Sequence, residues 1–189
     1  MKVLVTGGAG FIGCNAVARY LSRGDHVVCL DNLSRRGADT NLAWLRTITG
    51  SDRLHVSRAD IRNQSDVDEA FAAHPDIEVV VHLAGQVAVT TSVADPRGDF
   101  EANALGTLNI LEAARRVSGL RAFLYASTNK VYGGLESVGV ELVGGRYTFR
   151  DLPSGIPETY PLDFHSPYGC SKGAADQYVI DYARIYGMP

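Results

Sequence analysis

The chain is poor in the residues that make disulfides, metal sites or charged docking surfaces. Its 189 residues include three cysteines, Cys14, Cys29 and Cys170, an odd number set in separate segments. That arrangement supports neither a disulfide framework nor a zinc site, and it fits reduced thiols in a cytoplasmic protein. The five histidines show no metal-ligand spacing. Neither sign of charge dominates: 18 Lys and Arg stand against 21 Asp and Glu, for a net −3. This gives no electrostatic case for nucleic acid or an acidic membrane as partner. No apolar run is long enough to span a bilayer, and the first residues already read as a core strand, so neither a membrane span nor a leader is expected. At 46% hydrophobic and 21% charged, the composition is that of a soluble globular domain with its own core.

What is present is an alternation of strands and helices. Lys2–Thr6, His26–Leu30, Arg53–Ser57, Ile77–His82 and Leu120–Ala126 read as strands, with helices over Gln64–Ala73 and Asp95–Val117. Alternation of this kind predicts an α/β fold, a parallel sheet covered on both faces in the Rossmann-like doubly wound arrangement. The rhythm breaks over Gly133–His165, which is rich in Gly and Pro and holds two possible short strands, 138–143 and 146–149. Ser166 then offers an N-cap and Pro167 a first helical residue for a helix to about Tyr186.

The first strand runs into Gly7-Gly-Ala-Gly10-Phe11-Ile12-Gly13 and then a helix. Gly7 suits the tight turn, Gly10 a close approach of backbone to a pyrophosphate, and Gly13 close helix–strand packing. The helix start adds free N–H groups and a positive dipole end. Asp31 ends the second strand eighteen positions after Gly13, about where a carboxylate meets an adenosine ribose. It would accept bonds from a 2′-hydroxyl and repel a 2′-phosphate, which favours NAD over NADP. Glycines alone also make an ordinary βα turn; the strand, helix, second strand and terminal acid in register are what point to a dinucleotide.

Tyr168 and Lys172 lie four residues apart, on one face of the last helix. An ammonium beside a phenol favours the phenolate, which makes a base for a sugar or alcohol hydroxyl. Such a pair is otherwise a wet helix face. Ser127-Thr128 closes the fifth strand at the end of the sheet where ligands bind, so the Thr128 hydroxyl is expected to face the same cleft; a strand-end hydroxyl bonding local backbone is the plainer alternative.

Taken together, these motifs resemble the extended short-chain dehydrogenase/reductase family, the nucleotide-sugar epimerases and dehydratases. They are Thr6–Gly13, Asp31–Ser34, Asp60-Ile61, His82–Gly85, Asn103, Ser127-Thr128 with Val131–Gly133, and Tyr168-x-x-x-Lys172. The resemblance implies catalysis by Thr128, Tyr168 and Lys172. It implies NAD contacts from Gly7, Gly10, Phe11, Ile12, Gly13, Asp31, Asn32, Asp60, Ile61, Leu83, Ala84, Gly85, Gln86, Asn103, Tyr168 and Lys172, and substrate contacts from Val87, Thr128 and Asn129. Segments 86–92, 127–133 and 162–177 are most similar to the epimerases of CDP-linked sugars, which implies inversion by transient oxidation to a keto-sugar. Another epimerase or reductase of the family stays open, as does a fragment that binds NAD without turnover. The dehydratases carry Asp-Glu directly after the catalytic Thr. Here Asn129-Lys130 takes that place, and an amide cannot do that acid work. Family members continue well beyond the Tyr/Lys helix. Residues 1–189 are therefore expected to be an NAD-binding domain with its excursion at 133–165 and no substrate domain, which turns over poorly and pairs into a homo-oligomer through 103–117 and 168–186.

Overall fold

The computed structural model describes residues 1–49 and 53–189. Strands β1 (Lys2–Thr6), β2 (His26–Asp31), β3 (Leu54–Arg58), β4 (Val79–His82) and β5 (Ala122–Tyr125) form one parallel sheet in the order β3-β2-β1-β4-β5. Consecutive apolar residues make β1, β2 and β4 because both of their faces are covered, while the edge strands β3 and β5 are only partly buried. Leu4, Val28, Leu30 and Val80 face one core with Phe71, Ile110, Leu111 and Tyr182, while Val3, Val5, Val27 and Cys29 face the other with Val17, Leu21, Leu42 and Leu45. Cys29 is a core thiol: burial first, and the Asp31 charge second, push its pKa up to about 12.

Helices α1 (Phe11–Ser22) and α2 (Ala38–Thr49) cover one face; α3 (Gln64–Ala72), α6 (Gly106–Ala114) and α7 (Ser166–Tyr186) cover the other. Between β4 and α6 the chain forms α4 (Val89–Ala94), α5 (Pro96–Phe100) and a π-helical segment, Glu101–Leu105. The single helix expected over 95–117 is thus interrupted and ends at Ala114, and α2 and α4 are additional to the expected elements. The chain crosses from one side of the sheet to the other between β1 and β4, which opens a crevice at their carboxyl ends.

The excursion has a closed base. A 3₁₀ turn (Asn129–Tyr132) leads into it, and the N–H of Asp163 donates to the Val131 carbonyl at 2.9 Å on the way out. Within it, β6 (Val140–Val143) and β7 (Arg146–Phe149) form an antiparallel hairpin turned by Gly144 and Gly145, both at positive φ. Helix α7 has His165 rather than the expected Ser166 at its N-cap, with no side-chain bond from it; Ser166 is the first helical residue, and its Oγ accepts from the Gly169 N–H at 3.3 Å. The backbone of Ser166 sits at φ 65, a left-handed conformation that non-glycine residues adopt at a cost. Helix α7 ends at Gly187, also left-handed, and the Pro189 carbonyl accepts the edge N–H of Phe123 at 2.8 Å.

The glycine turn is packed to contact. A Cβ on Gly13 would lie 2.0 Å from the Gly7 carbonyl oxygen, whereas one on Gly119 would meet nothing within 4 Å. Gly13→Ala is expected to cost about 1–3 kcal/mol or more and Gly119→Ala less than about 0.5 kcal/mol. The midpoints of urea unfolding measure both.

Candidate active site at the carboxyl ends of the strands

The turn after β1 is fixed by the Gly7 N–H donating to the Leu30 carbonyl at 2.8 Å and the Gly10 N–H donating to the Gly7 carbonyl at 3.0 Å. Gly7 is at φ 66, and a Cβ there would strike the backbone of Ala84 at 2.8 Å. Gly10 gives α1 no side-chain cap, so the first-turn N–H groups keep their donors for an anion. Phe11 and Ile12 stand out from the surface there, 83% and 67% exposed.

The end of β2 builds a second wall. Asp31 accepts from the Ala9 N–H at 3.0 Å and the Leu33 N–H at 2.8 Å, so it ties the glycine turn to the next loop. A carboxylate still has acceptor positions left for hydroxyl donors. Asn32 Nδ2 donates to Asp60 at 3.0 Å, and Arg62 donates to Asp60 through Nε at 3.0 Å and Nη2 at 2.7 Å. The Arg62 hydrogen bond holds the Asp60 carboxyl well below the usual carboxylate range, against the opposing effect of burial. The Ile61 side chain lies in the core against Gly106, and its carbonyl accepts from Asn109 Nδ2 at 2.8 Å.

Beneath the site a directed chain of hydrogen bonds runs through His82, which is 1% exposed. Thr107 Oγ1 donates to the Asn103 carbonyl at 2.6 Å, so it accepts from His82 Nε2 at 3.0 Å. His82 Nδ1 then accepts from Thr6 Oγ1 at 2.6 Å, and the Thr6 oxygen accepts from the Ala84 N–H at 3.1 Å. The bonds around it assign this tautomer. Burial, then the charge of Lys172, lowers the His82 pKa to about 3, so the imidazole is neutral.

A buried amide and carboxylate cluster holds the loop after β4. Asn103 Oδ1 accepts from the Gln86 N–H at 2.9 Å, and Asn103 Nδ2 donates to Ser171 at 3.0 Å and Asp99 at 3.2 Å. Ser171 donates to the other Asp99 oxygen at 2.5 Å, and Gln86 Nε2 donates to Asp99 at 3.0 Å. The resemblance implies a cofactor contact for Asn103. Both of its amide hydrogens are already donated, and it acts here by holding the loop of Leu83 to Gln86 in place. Val87 follows, 51% exposed.

Helix α7 brings Tyr168 and Lys172 to the same end. The Tyr168 N–H donates to Ser92 Oγ on α4 at 3.1 Å. Lys172 is 8% exposed; its Nζ donates to the Ala126 carbonyl at 2.6 Å and sits over the Tyr125 ring, 4.1 Å from the centroid. Burial lowers its pKa to about 8, against the charges of Asp176 and Asp99. Thr128 Oγ1, two residues beyond Ala126, accepts from the Lys130 N–H at 3.3 Å, which leaves its hydroxyl hydrogen to donate. Asn129 is exposed beside it. The structure therefore brings the glycine turn, Asp31, the loop after β4, Thr128, Tyr168 and Lys172 to the carboxyl-end side of the sheet.

A sequence profile described as GDP-mannose 4,6 dehydratase matches residues 4–189. The chain belongs to this family. Over its whole length it is 51% identical to the CDP-paratose 2-epimerase of Salmonella typhi, of which it covers 54%. The Thermus thermophilus UDP-glucose 4-epimerase, solved in complex with NAD, matches 100% of the chain at TM-score 0.78 and 37% identity, with 52% of that chain covered. The dTDP-glucose 4,6-dehydratase DesIV of Streptomyces venezuelae, solved with NAD and TYD bound, matches at TM-score 0.75 and 31% identity, covering 100% of this chain and 53% of its own. The chain spans about half the length of these relatives, and its five-stranded parallel sheet is the family's Rossmann-like fold.

Four residues that organise the site did not stand out in the sequence: Tyr125, Thr107, Asp99 and Ser92. Tyr125 reads there as one more strand residue. Asp99 and Thr107 sit inside an apparently ordinary helix; a carboxylate and a hydroxyl at apolar-stripe positions are the signal that would have marked them.

The neutral, buried His82 makes stability depend on pH. Its folded pKa lies below its unfolded value near 6.5. Between about 6.5 and 3 the unfolded chain holds the extra proton, so stability is lost as pH falls, by about 1.4 kcal/mol per pH unit for this one group. Replacing His82 with Gln is expected to flatten the curve of urea-unfolding free energy against pH over that window by up to one proton's slope.

Proposed function

We propose that this chain is the cofactor-binding and catalytic part of an NAD-dependent nucleotide-sugar epimerase, acting at C2 of a CDP-linked sugar. One observation carries the reading. A buried ammonium, Lys172, is pinned to the Ala126 carbonyl one helical turn from Tyr168 and beside the strand end that bears Thr128.

The residues present fit the dinucleotide. Gly7 and Gly13 make a cradle that a Cβ would fill, the helix behind it has no side-chain cap, and Asp31 waits at the end of β2 with acceptor capacity to spare. On this reading Gly10, Phe11 and Ile12 meet the pyrophosphate through their backbone, Asp31 and Asn32 the adenosine ribose, and Asp60 and Ile61 the adenine. Leu83 to Gln86 line the path to the nicotinamide, with Lys172 on its ribose. Uptake and return of a hydride at the sugar carbon is the chemistry that bound NAD supplies.

The chain's own residues handle the proton. The Thr128 hydroxyl holds the reacting sugar oxygen. Tyr168, as phenolate, takes the hydroxyl proton when the carbon is oxidised and gives it back when the keto-sugar is reduced on its other face. The Lys172 ammonium keeps positive charge beside that phenolate. Val87 and Asn129 border the sugar. Asn129-Lys130 at the start of the 3₁₀ turn provides no carboxylic acid to protonate a departing hydroxyl, so water elimination is disfavoured. The CDP-sugar assignment is supported by the 51% identity to a CDP-paratose 2-epimerase, against 37% to a UDP-glucose 4-epimerase.

The reading treats residues 1–189 as an NAD-binding domain, with the sugar nucleotide gripped largely by the kind of further domain its longer relatives have room for. It includes self-association through the helices at 103–117 and 168–186, the second of which leaves Tyr178 and Ile185 exposed.

Native mass spectrometry of the purified chain is expected to show retained NAD and more than one subunit. Chain that carries no dinucleotide and takes none up would defeat the cofactor reading. In titration calorimetry, Asp31→Ala is expected to weaken NAD binding about tenfold or more and to narrow the preference for NAD over NADP. In the whole-length enzyme, NMR of CDP-sugar incubations is expected to show inversion at C2 without accumulation of NADH; inversion at C4 of a UDP-sugar instead would place the enzyme with the 4-epimerases.

A further inference from the structure

A lysine ammonium taken out of water needs compensation. Lys172 gets little of it from full charges. Asp99, one of its two carboxylate neighbours, has both oxygens engaged by Gln86, Asn103 and Ser171, and it and Asp176 act on Lys172 only through space. The direct contacts are one carbonyl, that of Ala126, and one aromatic face, that of Tyr125.

The Tyr125 ring is itself held firmly. It lies opposite His82 in the β4–β5 register and stacks on that imidazole, with centroids 5.8 Å apart and planes 25° apart. Its hydroxyl donates to the Lys172 carbonyl at 3.3 Å. Because His82 is neutral, no positive charge competes for the ring's electron-rich face. Burial first, then the Asp176 and Tyr168 charges, push the Tyr125 phenol upward, so it stays protonated and is no rival base to Tyr168.

We propose that Tyr125 is a positioning residue for Lys172: its ring face holds the ammonium beside the Ala126 carbonyl and leaves the third N–H direction for the side of the site that the ligand and the Tyr168 phenol share. Two of the three donor directions of the ammonium are then fixed by β5 and its continuation, so helix α7 does not have to aim the flexible four-carbon stem by itself. The part that concerns ligand and phenol rests on the epimerase reading; the holding of the ammonium does not.

The test is NMR of the 189-residue chain with ¹³C,¹⁵N-labelled lysine. The titratable groups facing Lys172 are Asp176 and Tyr168 on α7, Asp99 on α5, His82 on β4 and Tyr125 on β5, and all but Tyr125 are kept constant. In the wild type, the Lys172 Hε signals are expected well upfield of ordinary lysine from the ring current, and Tyr125→Phe retains that shift. Tyr125→Leu removes it and lowers the Lys172 titration midpoint by about one pH unit, while Tyr125→Phe titrates close to the wild type. Ordinary Hε positions in the wild type overturn the proposal, as does a leucine variant that titrates like the wild type. A phenylalanine variant that loses the shift overturns it too, since the hydroxyl would then be the holding group. If the leucine variant does not fold, the Hε shift in the wild type and the phenylalanine variant decides alone. Retained NAD in native mass spectrometry is read separately, so a chain with the ring-current shift and no NAD keeps this inference and loses the epimerase reading.

Discussion

The arrangement of the site depends on a neutral imidazole buried where four elements meet. His82 joins β1 through Thr6, α6 and the π-helical segment through Thr107 and Asn103, and the loop after β4 through the N–H of Ala84. Every polar hydrogen along that chain has a partner, which is what lets such a group sit in a core at all. Thr6 shows how compact the arrangement is. Its hydroxyl gives to the histidine and takes from the loop, so the end of the first strand and the start of the loop after β4 are set by one oxygen.

The π-helical segment is the counterpart of this chain on the helix side. Within it the Asn103 carbonyl accepts from the Thr107 hydroxyl. The same turn presents the Asn103 side chain to the Gln86 backbone and to Ser171, next to Lys172. Asn103 thus links two segments, the loop after β4 and the start of α7.

How much of this could be read from the residues follows from which forces are local. The strands were legible because burial on two faces makes runs such as Val3–Val5 and Val27–Leu30 apolar without interruption. The glycine turn was legible because its geometry excludes side chains, and the Tyr168/Lys172 pair because helical spacing is fixed. Helix α2 escaped because it follows a polar, arginine-bearing loop and leaves Trp44 and Ile48 exposed, which blurs its apolar stripe of Ala38, Leu42 and Leu45. The π segment escaped because nothing in a window of residues announces that the Thr107 hydroxyl will give to the Asn103 carbonyl and take from a histidine of another strand. Tyr125 escaped for the same reason: its part is defined by what lies above and below it, and a strand residue is read only for which way it faces.

The closed base of the excursion has an evolutionary consequence. Because Asp163 returns to the Val131 carbonyl, residues between them form a compartment whose length is nearly decoupled from the frame that carries Thr128 and Tyr168. Lengthening a tethered loop costs free energy only as the logarithm of its length. The hairpin can therefore be recut, enlarged or replaced from one lineage to the next while Thr128 and Tyr168 stay where they are.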